Sequence, residues 1–225
     1  MKKELKSIQG IDTVCVESES ADTAVVFFHG YGANMNDLFP LWELWHRDQF
    51  NWYFPNGILP LPMGYYEGRS WFSIDIEGLE RAMREGRHRD MAAYIPAELE
   101  STLKHLEAFL LDIMKKHKKL ILGGFSQGAM CASHLAMKDS FAVDGLILLS
   151  GNLLADGKFP KSAKSIPFYM AHGTSDPVLG IEGAKALEKK LQGMNFQGKL
   201  STFPGGHEIP QQVVKEVSTF LGQFT

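Results

Sequence analysis

Three residues that could serve as nucleophile, acid and base occur in one order along this chain: Ser126 in GGFSQGA, Asp176 in AHGTSDPV and His207 in GGHEIP. A serine hydroxyl attacks a carbonyl usefully only when a base takes its proton and a third group orients that base. The G-x-S-x-G pattern around Ser126 is weak alone and gains meaning only between a strand and a helix. Here KLILGGF (119–125) reads as a buried strand, and QGAMCASHLAM, directly after Ser126, reads as a helix. Ser126 therefore falls on a sharp strand-to-helix turn. Small residues on both sides let the turn close and let the helix pack near the sheet. The helix amino terminus adds partial positive charge where an oxyanion would form. A purely structural turn would need the glycines but no serine between them.

Asp176 is expected just past a strand end, in a loop shaped by Gly173 and Pro177. His207 is expected in a glycine-led loop, with Pro210 suited to the first turn of the last helix. Both would share the sheet edge of Ser126, because each follows a predicted parallel strand, and loops at such edges concentrate catalytic groups. Of the rival histidines, His46, His88, His105, His117 and His134 lie on or near predicted helices. His29 and His172 do precede glycines after strands, and each is expected to pack and hydrogen-bond a neighbouring loop. Among acids, Asp144 begins a strand at the opposite edge, Glu208 reads as a first-turn helix carboxylate, and Asp156 stays open as a rival. Acyl transfer also needs oxyanion donors. The backbone N–H of Gln127 is one, and the glycines of FFHGYGAN (27–34) leave the N–H of Tyr31 accessible as the other.

The elements that must position these groups alternate. TAVVFFHG (23–30) and NWYFPNG (51–57) read as strands, with NMNDLFPLWELWHR (34–47) between them at helical spacing and interrupted by Pro40. ILPLPMGYYEGRSWFSIDIEG (58–78) holds too many breakers for regular structure, so 58–90 is expected as a long loop region near the site. Its end, IEGLERAMREGRHRD (76–90), reads as a solvated charged segment. A long helix follows from about 89 to 119, with an apolar stripe of Leu99, Leu103, Leu106, Leu110 and Ile113. KKHKK at its end suits the negative pole of the helix dipole. After the turn at Ser126 come DGLILLSG, IPFYMAHG, a helix over 180–193, GKLSTFPGG and a helix over 208–223. This pattern predicts an α/β fold, a mainly parallel sheet with helices on both faces. One domain over 1–225 is expected, with 1–22 as an amino-terminal extension or edge strand.

The chain of 225 residues is 44% hydrophobic with a net charge of −3, which gives no electrostatic footprint for nucleic acid. Lysines at positions 2 and 3 lack a following apolar run, and no stretch reaches the length of a membrane span, so a cytoplasmic protein without an integral membrane segment is expected. Cys15 and Cys131 read as buried thiols. No cluster has metal-ligand spacing and no glycine loop carries a Lys-Ser/Thr ending, so neither metal nor phosphate-binding loop is expected.

HGYG, GRSWF, GFSQGA, HGTSDPV and GGHEIP, in this order and spacing, resemble the phospholipase/carboxylesterase family that includes the acyl-protein thioesterases. The resemblance runs over roughly residues 23 to 223. It implies an α/β-hydrolase fold without a large cap domain, no cofactor, and hydrolysis of carboxylic esters or thioesters. It carries the nucleophile to Ser126, the acid to Asp176, the base to His207 and the oxyanion donors to Tyr31 and Gln127. It also implies that Trp71 borders the acyl groove, with Phe72 and Val178 as further substrate-binding residues. Family members commonly have leucine at the place of Tyr31 and aspartate at that of Ser73. The expected partner is a small or acylated ester or thioester. An acyltransferase would share every residue named, a non-catalytic binding module could share the fold, and a homodimer is compatible with the sequence.

Overall fold

The computed structural model describes residues 2–63, 66–138, 141–160 and 165–225. The chain begins with β1 (Lys2–Ile8), β2 (Ile11–Glu17) and β3 (Thr23–Phe28), then the short helix α1 (Leu41–Trp45) and β4 (Phe50–Pro55). A hairpin of β5 (Leu59–Met63) and β6 (Tyr66–Ser70) precedes the helices α2 (Ile76–Arg84) and α3 (Leu99–Met114). Then come β7 (Lys119–Phe125), α4 (Gln127–Met137), β8 (Gly145–Leu149), β9 (Ile166–Gly173), α5 (Ile181–Gly193), β10 (Phe196–Phe203) and α6 (Gln211–Leu221).

Among the described residues, eight strands make one sheet in the order β1-β2-β4-β3-β7-β8-β9-β10. β1 and β2 are antiparallel at one edge, and from β4 to β10 every pairing is parallel. Alternation along each central strand divides its side chains between two cores. Ala24, Val26 and Phe28 of β3, with Leu120 and Leu122 of β7, pack on the face covered by α3, α4 and α5. Val25, Phe27 and Ile121 point to the opposite face, where Trp45 of α1 and Val213, Val217 and Phe220 of α6 close the second core. Burial on both faces is why these strands read as unbroken apolar runs rather than alternating ones. The two-faced α/β architecture is as expected.

The expectations for 34–47 and 58–90 need correction. Only Leu41–Trp45 is α-helical in the first, with Pro40 at the cap position rather than inside. In the second, β5 and β6 pair as a separate hairpin despite Pro60 and Pro62, with residues 64–65 outside the described ones. A two-stranded ribbon has only edge strands, whose outward N–H groups are dispensable, so proline is tolerated there. Asp75 then caps α2 by accepting the Gly78 N–H at 3.0 Å. The long helix starts at Leu99 rather than near 89, and residues 85–98 form an irregular wall.

Candidate active site

Ser126 follows the last residue of β7 and has φ 55° and ψ −117°. This left-handed-side conformation is uncommon for a side chain with a Cβ and stores about 1–3 kcal/mol of strain. The flanking glycines explain how the turn closes. A Cβ on Gly128 would lie 2.2 Å from the Phe28 carbonyl oxygen, and one on Gly124 would lie 2.3 Å from the Gly128 carbonyl carbon. α4 can therefore start directly against β3 and β7 only with glycine at both positions. The Ser126 N–H donates to the Leu149 carbonyl of β8 at 2.8 Å, which pins the turn to the sheet.

Asp176 and His207 come to the same edge from the ends of β9 and β10. Their loops are joined by backbone bonds, Thr174 N–H to Phe203 O at 2.9 Å and Ser175 N–H to Gly205 O at 3.0 Å. The approach is so close that a Cβ on Gly173 would meet the Gly206 oxygen at 2.2 Å. The side chains then connect: His207 Nδ1–H donates to Asp176 Oδ2 at 2.7 Å, and Ser126 Oγ–H donates to His207 Nε2 at 2.8 Å.

Asp176 is buried, and its other oxygen accepts the N–H groups of Val178 at 2.8 Å and Leu179 at 2.9 Å. Burial raises the cost of its charge. The bond and charge of His207, together with those two amides, outweigh burial and hold the carboxyl below its usual range. His172 approaches the same carboxylate at 3.3 Å while its Nε2–H donates to Leu179 O at 2.7 Å. Burial lowers its pKa, so it stays neutral beside the acid.

His29 is likewise no base for this site. Its Nδ1–H donates to Gly30 O at 2.7 Å, and its Nε2 accepts the Gly57 N–H at 2.8 Å. Both ring nitrogens are thus committed, and burial lowers its pKa to about 4. Asp144 Oδ2 accepts the Leu120 N–H at the far edge of the sheet. Asp156 pairs with Lys190 at 2.7 Å, away from the serine. Glu208 precedes α6 and accepts the Gly206 N–H rather than sitting in the helical first turn.

Ser126 and His207 open into a cavity of about 200 Å³ that Tyr31, Gln127 and Val178 also line. Gln127 is the first residue of α4, so its N–H is one of the helix amides without an intrahelical acceptor. The Tyr31 loop is fixed by Gly32 N–H to Arg69 O at 2.9 Å and Arg69 N–H to Ala33 O at 2.8 Å. Trp71 and Phe72, expected to border the groove, are fully buried and do not line it. They tie three elements together instead. Trp71 Nε1–H donates to the His29 carbonyl at 2.8 Å, and Thr102 Oγ1 donates to Trp71 O at 2.7 Å. The Gln127 side chain accepts the Trp71 N–H at 2.9 Å and donates to Phe72 O at 2.7 Å.

The cavity's outer wall is where sequence reasoning fell short. Ile76 and Leu79 of α2, with Arg89, face the serine from the segment read as solvated charge, and Ile74 and Met91 just outside that segment join them. The signal was present: Ile76, Leu79 and Met83 recur at helical spacing among the charges.

A model of the phospholipase/carboxylesterase family matches residues 9–225. The chain belongs to this family. It is similar to acyl-protein thioesterase 1 of Neurospora crassa, 26% identical over 88% of this chain and 84% of that protein. Acyl-protein thioesterase 1 of Debaryomyces hansenii is 27% identical over 92% of this chain and 94% of its own. Among solved structures, esterase PE8 superposes with a TM-score of 0.77 at 25% identity, covering 96% of this chain and 99% of that one. A Bacillus cereus carboxylesterase, at 20% identity and a TM-score of 0.75, covers 96% of this chain and 95% of its own, and shares the fold. The family member described here is accordingly a hydrolase of the esterase and thioesterase class. No helix among the described residues is long and apolar enough to cross a membrane. No group of three or more potential metal-ligating side chains occurs among them.

Proposed function

We propose that this chain hydrolyses carboxylic esters or thioesters through an acyl-enzyme on Ser126. The observation that carries the reading is the connected chain of hydrogen bonds from Ser126 Oγ through His207 to Asp176 at 2.8 and 2.7 Å. His207 accepts the hydroxyl proton as Oγ attacks the acyl carbon, and Asp176 holds the ring in the tautomer with its proton on Nδ1. The N–H groups of Tyr31 and Gln127 receive the oxyanion. His207 then gives the proton to the departing alkoxide or thiolate, and water repeats the sequence to free the acid. Cytoplasmic residence fits the free, buried Cys15 and Cys131, whose thiol pKa values burial pushes up, that of Cys15 to about 12.

The cavity of about 200 Å³ is smaller than the roughly 300–1,000 Å³ of common small-molecule sites, which favours acyl chains well short of palmitoyl. Hydrolysis of p-nitrophenyl esters from acetyl to palmitoyl tests both points. The reading expects an optimum at short or middle chain lengths and a loss of about 10⁴-fold or more in Ser126→Ala. Undiminished turnover in that variant would remove Ser126 from the mechanism.

A further inference from the structure

We infer that Arg89 is a specificity residue that receives an anionic group of the substrate, a carboxylate or phosphate carried near the scissile bond; this rests on the esterase reading. Arg89 lines the cavity of Ser126 and His207, and among its described lining residues it bears the one permanent charge, in a lining otherwise rich in apolar side chains that include Ile76, Leu79, Met91 and Val178. A guanidinium beside such a surface is costly unless its donors and charge are matched.

The matching inside the protein is partial. Nη1 donates to the Asp75 carbonyl at 3.1 Å, and the nearest carboxylate oxygen, on Asp75, stands 3.8 Å away. That carboxylate is 57% exposed and already accepts the Gly78 N–H. Nε and Nη2 have no hydrogen-bond partner among the described residues. The Arg89 side chain is 22% exposed, and its guanidinium lies 4.9 Å from the Tyr94 ring centroid. Tyr94 is itself anchored by donating to Ser73 O at 3.0 Å. The cation–π contact with an anchored ring holds the guanidinium in place and leaves the unused donors available to a carboxylate or phosphate. Apolar walls with one oriented cation are how a site selects a mixed substrate, apolar in its chain and negative at one point.

Three thioesters separate the sources of the anion: hexanoyl-mercaptopropanol, which is neutral, adipoyl-mercaptopropanol, with the charge on the acyl chain, and hexanoyl-mercaptopropionate, with the charge on the leaving group. Their kcat/KM values give each anionic substrate's preference over the neutral one in wild type, Arg89→Lys, Arg89→Gln and Arg89→Glu. The expected result is a preference of at least about tenfold for one anionic substrate. It is expected to be partly kept in Arg89→Lys, lost in Arg89→Gln and inverted in Arg89→Glu. Whichever substrate shows this names the side on which the anion sits. Calorimetric binding of the same intact thioesters to Ser126→Ala, with and without Arg89→Gln, reads the preference without turnover. Absence of turnover in wild type with the binding preference intact would sink the esterase reading and leave the anion site standing. Equal affinities for all three thioesters, or a preference that Arg89→Gln leaves unmoved, would overturn the assignment of Arg89.

Discussion

At the scale of single residues, the histidines at this sheet edge differ in what their ring nitrogens bond. His29 and His172 are tied to backbone groups by their rings, whereas His207 spends Nδ1 on Asp176 and turns Nε2 to the serine. Asp176→Asn should keep the geometry but favour the wrong imidazole tautomer, lowering kcat by about 10³–10⁴. Steady-state kinetics on one p-nitrophenyl ester check it, and a loss below tenfold would contradict the role given to Asp176. The meeting of Ser126, Asp176 and His207 at one sheet edge was legible because each stands in a glycine-bearing loop after an apolar run, and chain order did the rest. Trp71 and Phe72 were misread for a physical reason. Proximity of a motif to a site does not tell whether a side chain faces the cavity or braces its wall. The indole of Trp71 donates to the carbonyl just before the Tyr31 loop, and Gln127 clamps its backbone from the other side. Arg89 was hidden for a related reason, since a charged residue in a charged stretch reads as solvent-facing even where it lines a cavity.

At the scale of elements, the site depends on how closely α4 approaches the sheet. Gly128→Ala would place a methyl within 2.2 Å of the Phe28 oxygen and 2.6 Å of the His29 oxygen, both backbone atoms that cannot swing aside. The helix would have to lift, taking Ser126 and the Gln127 N–H with it. The expected cost is about 3 kcal/mol, a fall in Tm of roughly 6–12 °C, together with a drop in kcat. Thermal unfolding followed by circular dichroism checks it, and an unchanged Tm would contradict the packing described. The strands that carry the site were legible because sheets covered on both faces demand continuous apolar runs. The β5–β6 hairpin and α2 were not. Prolines and glycines read as breakers, and an amphipathic helix with a narrow apolar stripe reads as solvated when its stripe has only two or three members.

At the scale of the molecule, buried neutral histidines make stability depend on pH. His29 has a folded pKa of about 4 against an ordinary 6.5, because burial disfavours its charge. Its Nε2 also faces an N–H donor, so a proton there would have nowhere to bond. The unfolded chain therefore binds the extra proton first. Stability is full above about 6.5 and falls as pH drops toward 4, by up to about 3 kcal/mol from this residue. Burial lowers His134 and His172 in the same direction, so they add to the fall. Asp176, held below its usual range, adds a loss that begins only below pH 3.8. Urea midpoints measured from pH 7.5 to 4.5 should decline steadily below about 6.5. A midpoint that stays flat across that window would contradict the neutral, buried His29.

The most direct test of the central claim is capture of the acyl-enzyme. Rapid acid quench during turnover of a p-nitrophenyl ester, followed by peptide mass spectrometry, should find the acyl mass on Ser126, with no adduct in Ser126→Ala. An adduct on any other residue, or steady turnover with Ser126 unmodified and dispensable, would contradict the account.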